Sequence, residues 1–168
     1  MTTFSNNDWE PLIEALRTEL EEYGALFNHL TRQQEEIFAR KVDTVLEING
    51  DLDSQARMIA AARERRQEVM DDLARRDGLP AGTRLTRMLD RFPNYVRPLL
   101  EALVRDINLM INRTRRKARQ NHILLARAVE LTQETLRLLQ PGSFTKTYAR
   151  SGQVSVSGEK TSRYQAVG

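Results

Sequence analysis

The 168-residue chain has no cysteine. Disulfides and cysteine-ligated zinc or iron–sulfur centres are therefore excluded, and the composition suits a reducing compartment such as the cytoplasm. No apolar stretch approaches the roughly 18 residues that a membrane span requires. The first residues show no basic start followed by an apolar run, so no secretory leader is expected. Aromatic residues are only 6% of the chain and prolines number five. With abundant Arg, Glu, Leu and Ala, this scarcity points to an all-α, coiled-coil-like protein.

The groups that carry catalysis are equally sparse. The two histidines, His29 and His122, have no second His or carboxylate at metal-binding spacing with a clear third ligand. There is no Gly-rich phosphate loop, no Gly-x-Ser-x-Gly and no His-Glu-x-x-His. The acidic pairs Glu21-Glu22, Glu35-Glu36 and Asp71-Asp72 are adjacent in sequence. On a helix such neighbours splay by about 100° and do not converge. The expectation is a non-enzymatic chain with no catalytic residue, metal or cofactor.

What is present is helical periodicity. Ile13, Leu16, Leu20, Tyr23, Phe27, Leu30, Gln34 and Ile37 recur at steps of three and four. Asn7 and Glu10 have capping-box spacing, with Pro11 in the first turn. The rhythm runs on through Val45, Ile48, Leu52, Ala56, Ile59, Ala62, Arg66, Val69 and Leu73. It weakens between Arg40 and Asp51, where Asn49-Gly50-Asp51 is turn-prone, so two helices are expected there. Gly78-Leu79-Pro80 stops the second. Thr83 is expected to cap a short helix over 84–91, which Phe92-Pro93-Asn94 interrupts. A long last helix follows, with Pro98 in its first turn and Pro141-Gly142 at its close.

The end of that last helix stands apart. At 100° per residue, Leu124, Leu125, Ala128, Val129, Leu131, Leu136, Leu138 and Leu139 cover roughly half the circumference, more than the stripe of about 100° that faces a helix's own core. Only Thr132 and Thr135 interrupt the arc, and Glu130, Gln133, Glu134 and Arg137 fill the other side. The surplus needs a further helix, a second copy or a partner. The expected architecture is thus an elongated antiparallel helical hairpin or bundle over 1–142, followed by a flexible Ser/Thr/Gly/Lys-rich tail over 143–168.

Charge is segregated. Residues 1–60 hold 5 Lys+Arg and 12 Asp+Glu, a net of −7, whereas residues 61–140 hold 17 and 10, a net of +7. Neighbouring segments of opposite sign would attract, although each exposed pair contributes only about 0.2–1 kcal/mol. Five of the seven residues Arg113–Arg119 are basic. No aromatic is interleaved to stack a base, so a solvated face docking on the acidic first helix is favoured over a nucleic-acid patch.

Several motifs together resemble the FlgN family of flagellar type III export chaperones. They are Leu16-x-x-Glu19-Leu20-x-x-Tyr23, Gln33-Gln34-Glu35-Glu36-Ile37, Arg66-x-x-Val69-Met70, Asn121-His122-Ile123-Leu124-Leu125 with Ala128 and Leu138-Leu139, and Tyr148-Ala149-Arg150-Ser151-Gly152. The resemblance implies a cytoplasmic chaperone that holds the terminal helix of hook–filament junction proteins and delivers them to the export ATPase and gate. It places client binding on Asn121, Leu124, Leu125, Ala128, Leu131, Leu136, Leu138 and Leu139, with Tyr148 beyond. The alternatives are a structural coiled coil, monomeric or homodimeric, that self-associates through the same surface, and a nucleic-acid binder using Arg113–Arg119.

Overall fold

The computed structural model describes residues 8–139, 145–148 and 154–157. Four α-helices make up most of it: α1 (Glu10–Phe38), α2 (Val42–Arg76), α3 (Leu85–Met88) and α4 (Arg97–Leu139). One 3-10 turn, Leu89–Arg91, follows α3. Two short strands, β1 (Thr145–Tyr148) and β2 (Val154–Ser157), pair antiparallel, with Thr145 opposite Ser157 and Tyr148 opposite Val154. The all-α class expected from composition is therefore observed, and the segment expected to be a plain tail contains a small β-ribbon. Such a two-stranded ribbon is marginal on its own. Residues divide into two compact units, 1–122 and 123–168.

The first unit is an up-down-up bundle. α1 and α2 form an antiparallel hairpin, pinned along its length by three side-chain contacts. Gln33 Nε2 donates to Asn49 Oδ1 at 2.8 Å, Gln55 Nε2 donates to the Glu22 carbonyl at 3.0 Å, and Arg66 meets Glu19 at 3.1 Å. The first part of α4 lies parallel to α1. Leu100 and Leu103 share a core with Leu12 and Leu16 at one end, and Asn121 bonds Leu30 and Gln33 towards the other.

That core is densest where the chain turns from α2 into α4. Leu12, Ile13 and Leu16 meet Val69, Met70, Leu73 and Ala74, and the connector adds Met88, Phe92 and Val96. Phe92, read from sequence as an interruption, is fully buried. It plugs the open end of the bundle, and burying a Phe is worth about 1.5–3 kcal/mol.

The helix ends differ from the sequence expectations in instructive ways. α1 begins after Trp9, which makes no side-chain cap, and Asn7 lies outside the described residues. Thr83 does not cap α3: its hydroxyl donates to the Pro80 carbonyl at 2.6 Å, and the N-cap is Arg84. α1 and α2 are separate, but the break falls at 39–41 and Asn49-Gly50-Asp51 is helical. A single glycine costs a long helix about 1 kcal/mol relative to Ala, and α2 continues through Gly50. The break is set by Arg40, which adopts φ +58°. Lys41 N donates to Glu36 O and Arg40 N to Ile37 O, both at 3.1 Å, the paired bonds of a Schellman end. α2 ends with the same device around Gly78: Leu79 N to Ala74 O and Gly78 N to Arg75 O. Here the expected glycine stop is observed.

Candidate partner-binding face

α4 is anchored firmly before it reaches the leucine-rich end. Arg97 at its start donates from Nε to the Phe92 carbonyl and from Nη2 to the Asp90 carbonyl. Leu100, Leu103, Ile107 and Thr114 are then buried at turn-spaced positions. Asn121 closes the series: it is 1% exposed, and its Nδ2 donates to Leu30 O at 2.7 Å and Gln33 Oε1 at 2.8 Å. Since Gln33 also bonds Asn49, one amide chain joins α4, α1 and α2. Buried polar contacts of this kind fix helix register. Asn121, expected to touch a client, is instead spent inside the bundle, and a docking partner has no access to it.

Beyond Asn121 the apolar side chains come to the surface. Leu124 and Leu125 are half-buried and Ala128 is exposed. Leu131 is 58% exposed, Leu136 44%, Leu138 78% and Leu139 73%. Ile123 and Val129 are exposed as well. The two threonines in the arc are less disruptive than their type implies. Thr132 Oγ1 donates to the Ala128 carbonyl at 2.9 Å and Thr135 Oγ1 to the Leu131 carbonyl at 2.8 Å. Both hydroxyls are satisfied against their own helix, which lowers the polar character of the arc. Of Tyr148 only the backbone, in β1, is described.

The basic run behaves differently from its sequence reading. Lys117 hydrogen-bonds α1, donating to Gln34 Oε1 at 2.9 Å with its ammonium 5.8 Å from the Phe27 ring centroid. Arg113, Arg115, Arg116 and Arg119 are exposed and, among the described residues, form no ion pair. The acidic first segment is met by α2: Arg66 pairs with Glu19, and Arg76 pairs with Asp8 at 3.0 Å.

Two motifs that carry the family resemblance also converge. Glu19 and Tyr23 of α1 line a cleft of about 150 Å³ with Arg63 and Arg66 of α2 and Arg115 of α4. Glu19 is buried, and one carboxylate oxygen lies 3.1 Å from the Arg66 guanidinium yet misaligned for a hydrogen bond. Desolvation pushes the Glu19 carboxyl above its ordinary 4.5, and the attraction of Arg66 and Arg63 offsets this only in part. Among the described residues no cluster of His, Asp or Glu is placed to hold a metal, and no helix is long and apolar enough to cross a membrane. His29 lies 4.0 Å from Asp51, and His122 is exposed.

The described residues thus form an all-α bundle whose last helix carries exposed leucines beyond Asn121. The sequence profile of the FlgN protein family matches residues 8–155. The chain belongs to that family, whose members are chaperones of flagellar export and bind export substrates. Searches of curated proteins and of solved structures give no match.

Proposed function

We propose that this chain is a cytoplasmic export chaperone for hook–filament junction proteins. It holds the amphipathic terminal helix of its client on the flank formed by Leu124, Leu125, Ala128, Leu131, Leu136, Leu138 and Leu139, prevents premature assembly and delivers the client to the export ATPase and gate. The observation that carries this reading is the exposure of that flank on a helix otherwise well anchored by its buried positions. An apolar stripe of this length in water is an interaction surface or an aggregation liability. A client whose own stripe is covered only after assembly supplies the complement. Hand-over requires moderate affinity, and micromolar binding corresponds to about −8 kcal/mol.

The test is the triple variant Leu124→Ala, Leu131→Ala, Leu138→Ala, titrated calorimetrically against the terminal helix of a hook–filament junction protein. Each truncation gives up about 1–2 kcal/mol of apolar burial, so the dissociation constant is expected to rise on the order of a thousandfold. Helicity and thermal midpoint should stay close to the parent, since Leu131 and Leu138 are exposed. Parent-like binding by the triple variant would refute the assignment of the site.

A further inference from the structure

The first unit carries two other uncovered strips, and they are complementary to each other. On the first three turns of α2, Val42 and Leu46 stand 67% and 62% exposed, flanked by exposed Asp43, Glu47 and Asp53. Among the described residues, no ion pair engages these three carboxylates. On α4 the row Arg105, Leu109, Arg113 repeats every four residues, with Arg116 one turn on, and all four are exposed. Among the described residues, none of these arginines has an ionic partner. One strip is therefore apolar with a mainly acidic border, interrupted by Arg57 one turn beyond Asp53, and the other is apolar with a mainly basic border, interrupted by Asp106 beside Leu109. Each offers what the other lacks.

We propose that the two strips form an isologous interface between two copies of this chain, the acidic strip of α2 in one copy lying on the basic strip of α4 in its partner. α2 and α4 run antiparallel within one bundle, so a two-fold operator forms the contact twice and closes the assembly. The argument for a second copy over an unrelated partner is that an acidic partner would cover α4 and leave α2 bare, whereas a second copy covers both. Val42, Leu46 and Leu109 supply the apolar centre, and the charges set orientation and partner choice. None of its residues belongs to the leucine flank of the proposed client site.

The experiment is sedimentation velocity of the full chain across a micromolar concentration series, at low and high salt. The parent should show a monomer–dimer equilibrium that weakens as salt rises. Glu47→Lys with Asp53→Lys makes both strips basic, and Arg105→Glu with Arg113→Glu makes both acidic. Each double variant should stay folded by circular dichroism and associate at least about tenfold more weakly than the parent. Mixing the two should restore a 1:1 dimer, because basic now meets acidic at both contacts. A parent that is monomeric at every concentration overturns the proposal, even if the reversals alter client binding. So does a parent dimer that survives both reversals, or a mixture that fails to associate.

Discussion

Arg40 holds a left-handed conformation, φ +58°, at the position where a Schellman end ordinarily places glycine. A side chain there costs about 1–2 kcal/mol, because Cβ crowds the following carbonyl. Lys41 compensates in part: its ammonium pairs with Glu36 at 3.3 Å, where such ends usually carry an apolar contact. Arg40→Gly should therefore raise stability by about 1 kcal/mol in urea unfolding, after the greater unfolded-state freedom of glycine is deducted. A loss of stability would mean that Arg40 contributes more through its side chain than its backbone strain costs. Glu19 gives the second test at this scale. Its folded carboxyl titrates above the ordinary 4.5, chiefly through desolvation, so folding favours the protonated form. The corresponding stability is fully present below 4.5 and is lost as pH rises through the folded value. Glu19→Gln has no such proton to lose. The stability of the parent relative to that variant should fall as pH rises above about 4.5, measured by urea unfolding at a series of pH values. A relative rise over that range would show that Arg66 outweighs burial.

At the scale of elements, periodic stretches were legible in the sequence and aperiodic ones were not. Ile13, Leu16 and Leu30 in the first seam and Val45, Ile48, Ile59, Ala62, Val69 and Leu73 in the second lie inside because period 3.6 dictates it, whereas Leu46 and Met58, off the seam, stay exposed. The uncovered leucine flank was visible for the same reason. Asn121 was misread because polarity next to leucines looks like a partner contact from sequence alone. Only the three-helix packing shows its amide answering Gln33 and Leu30. The break falls at Arg40, the start of the expected window Arg40–Asp51, whereas the turn-prone Asn49-Gly50-Asp51 within it is helical; the residue type at 40 carries no signal, since the turn around it imposes the left-handed conformation. Phe92 and Val96 were missed as core because a connector has no period to reveal which side chains turn inward. The pairing of Thr145–Tyr148 with Val154–Ser157 likewise lay in a composition that reads as tail.

For the whole molecule, the chain divides at residue 122 into two compact units, and the proposed function assigns the fold to the first and partner binding to the second. Every residue of the main apolar core lies between Leu12 and Ile107, and the amide chain that joins the three long helices ends at Asn121. Val129, Leu131, Leu136, Leu138 and Leu139 contribute exposed surface. Apolar groups already in contact with water in the folded state gain little from folding, so deleting them should cost little. A chain ending at residue 128 keeps nearly two turns beyond Asn121, enough to hold helix-end fraying clear of its hydrogen bonds. Its urea midpoint and cooperativity should match the full chain to within about 1 kcal/mol, while binding of a junction-protein helix is lost. Destabilisation by several kcal/mol would show that the residues after 128 help to build the bundle. The leucine flank would then be part of the fold, and the proposed division of labour along α4 would fail.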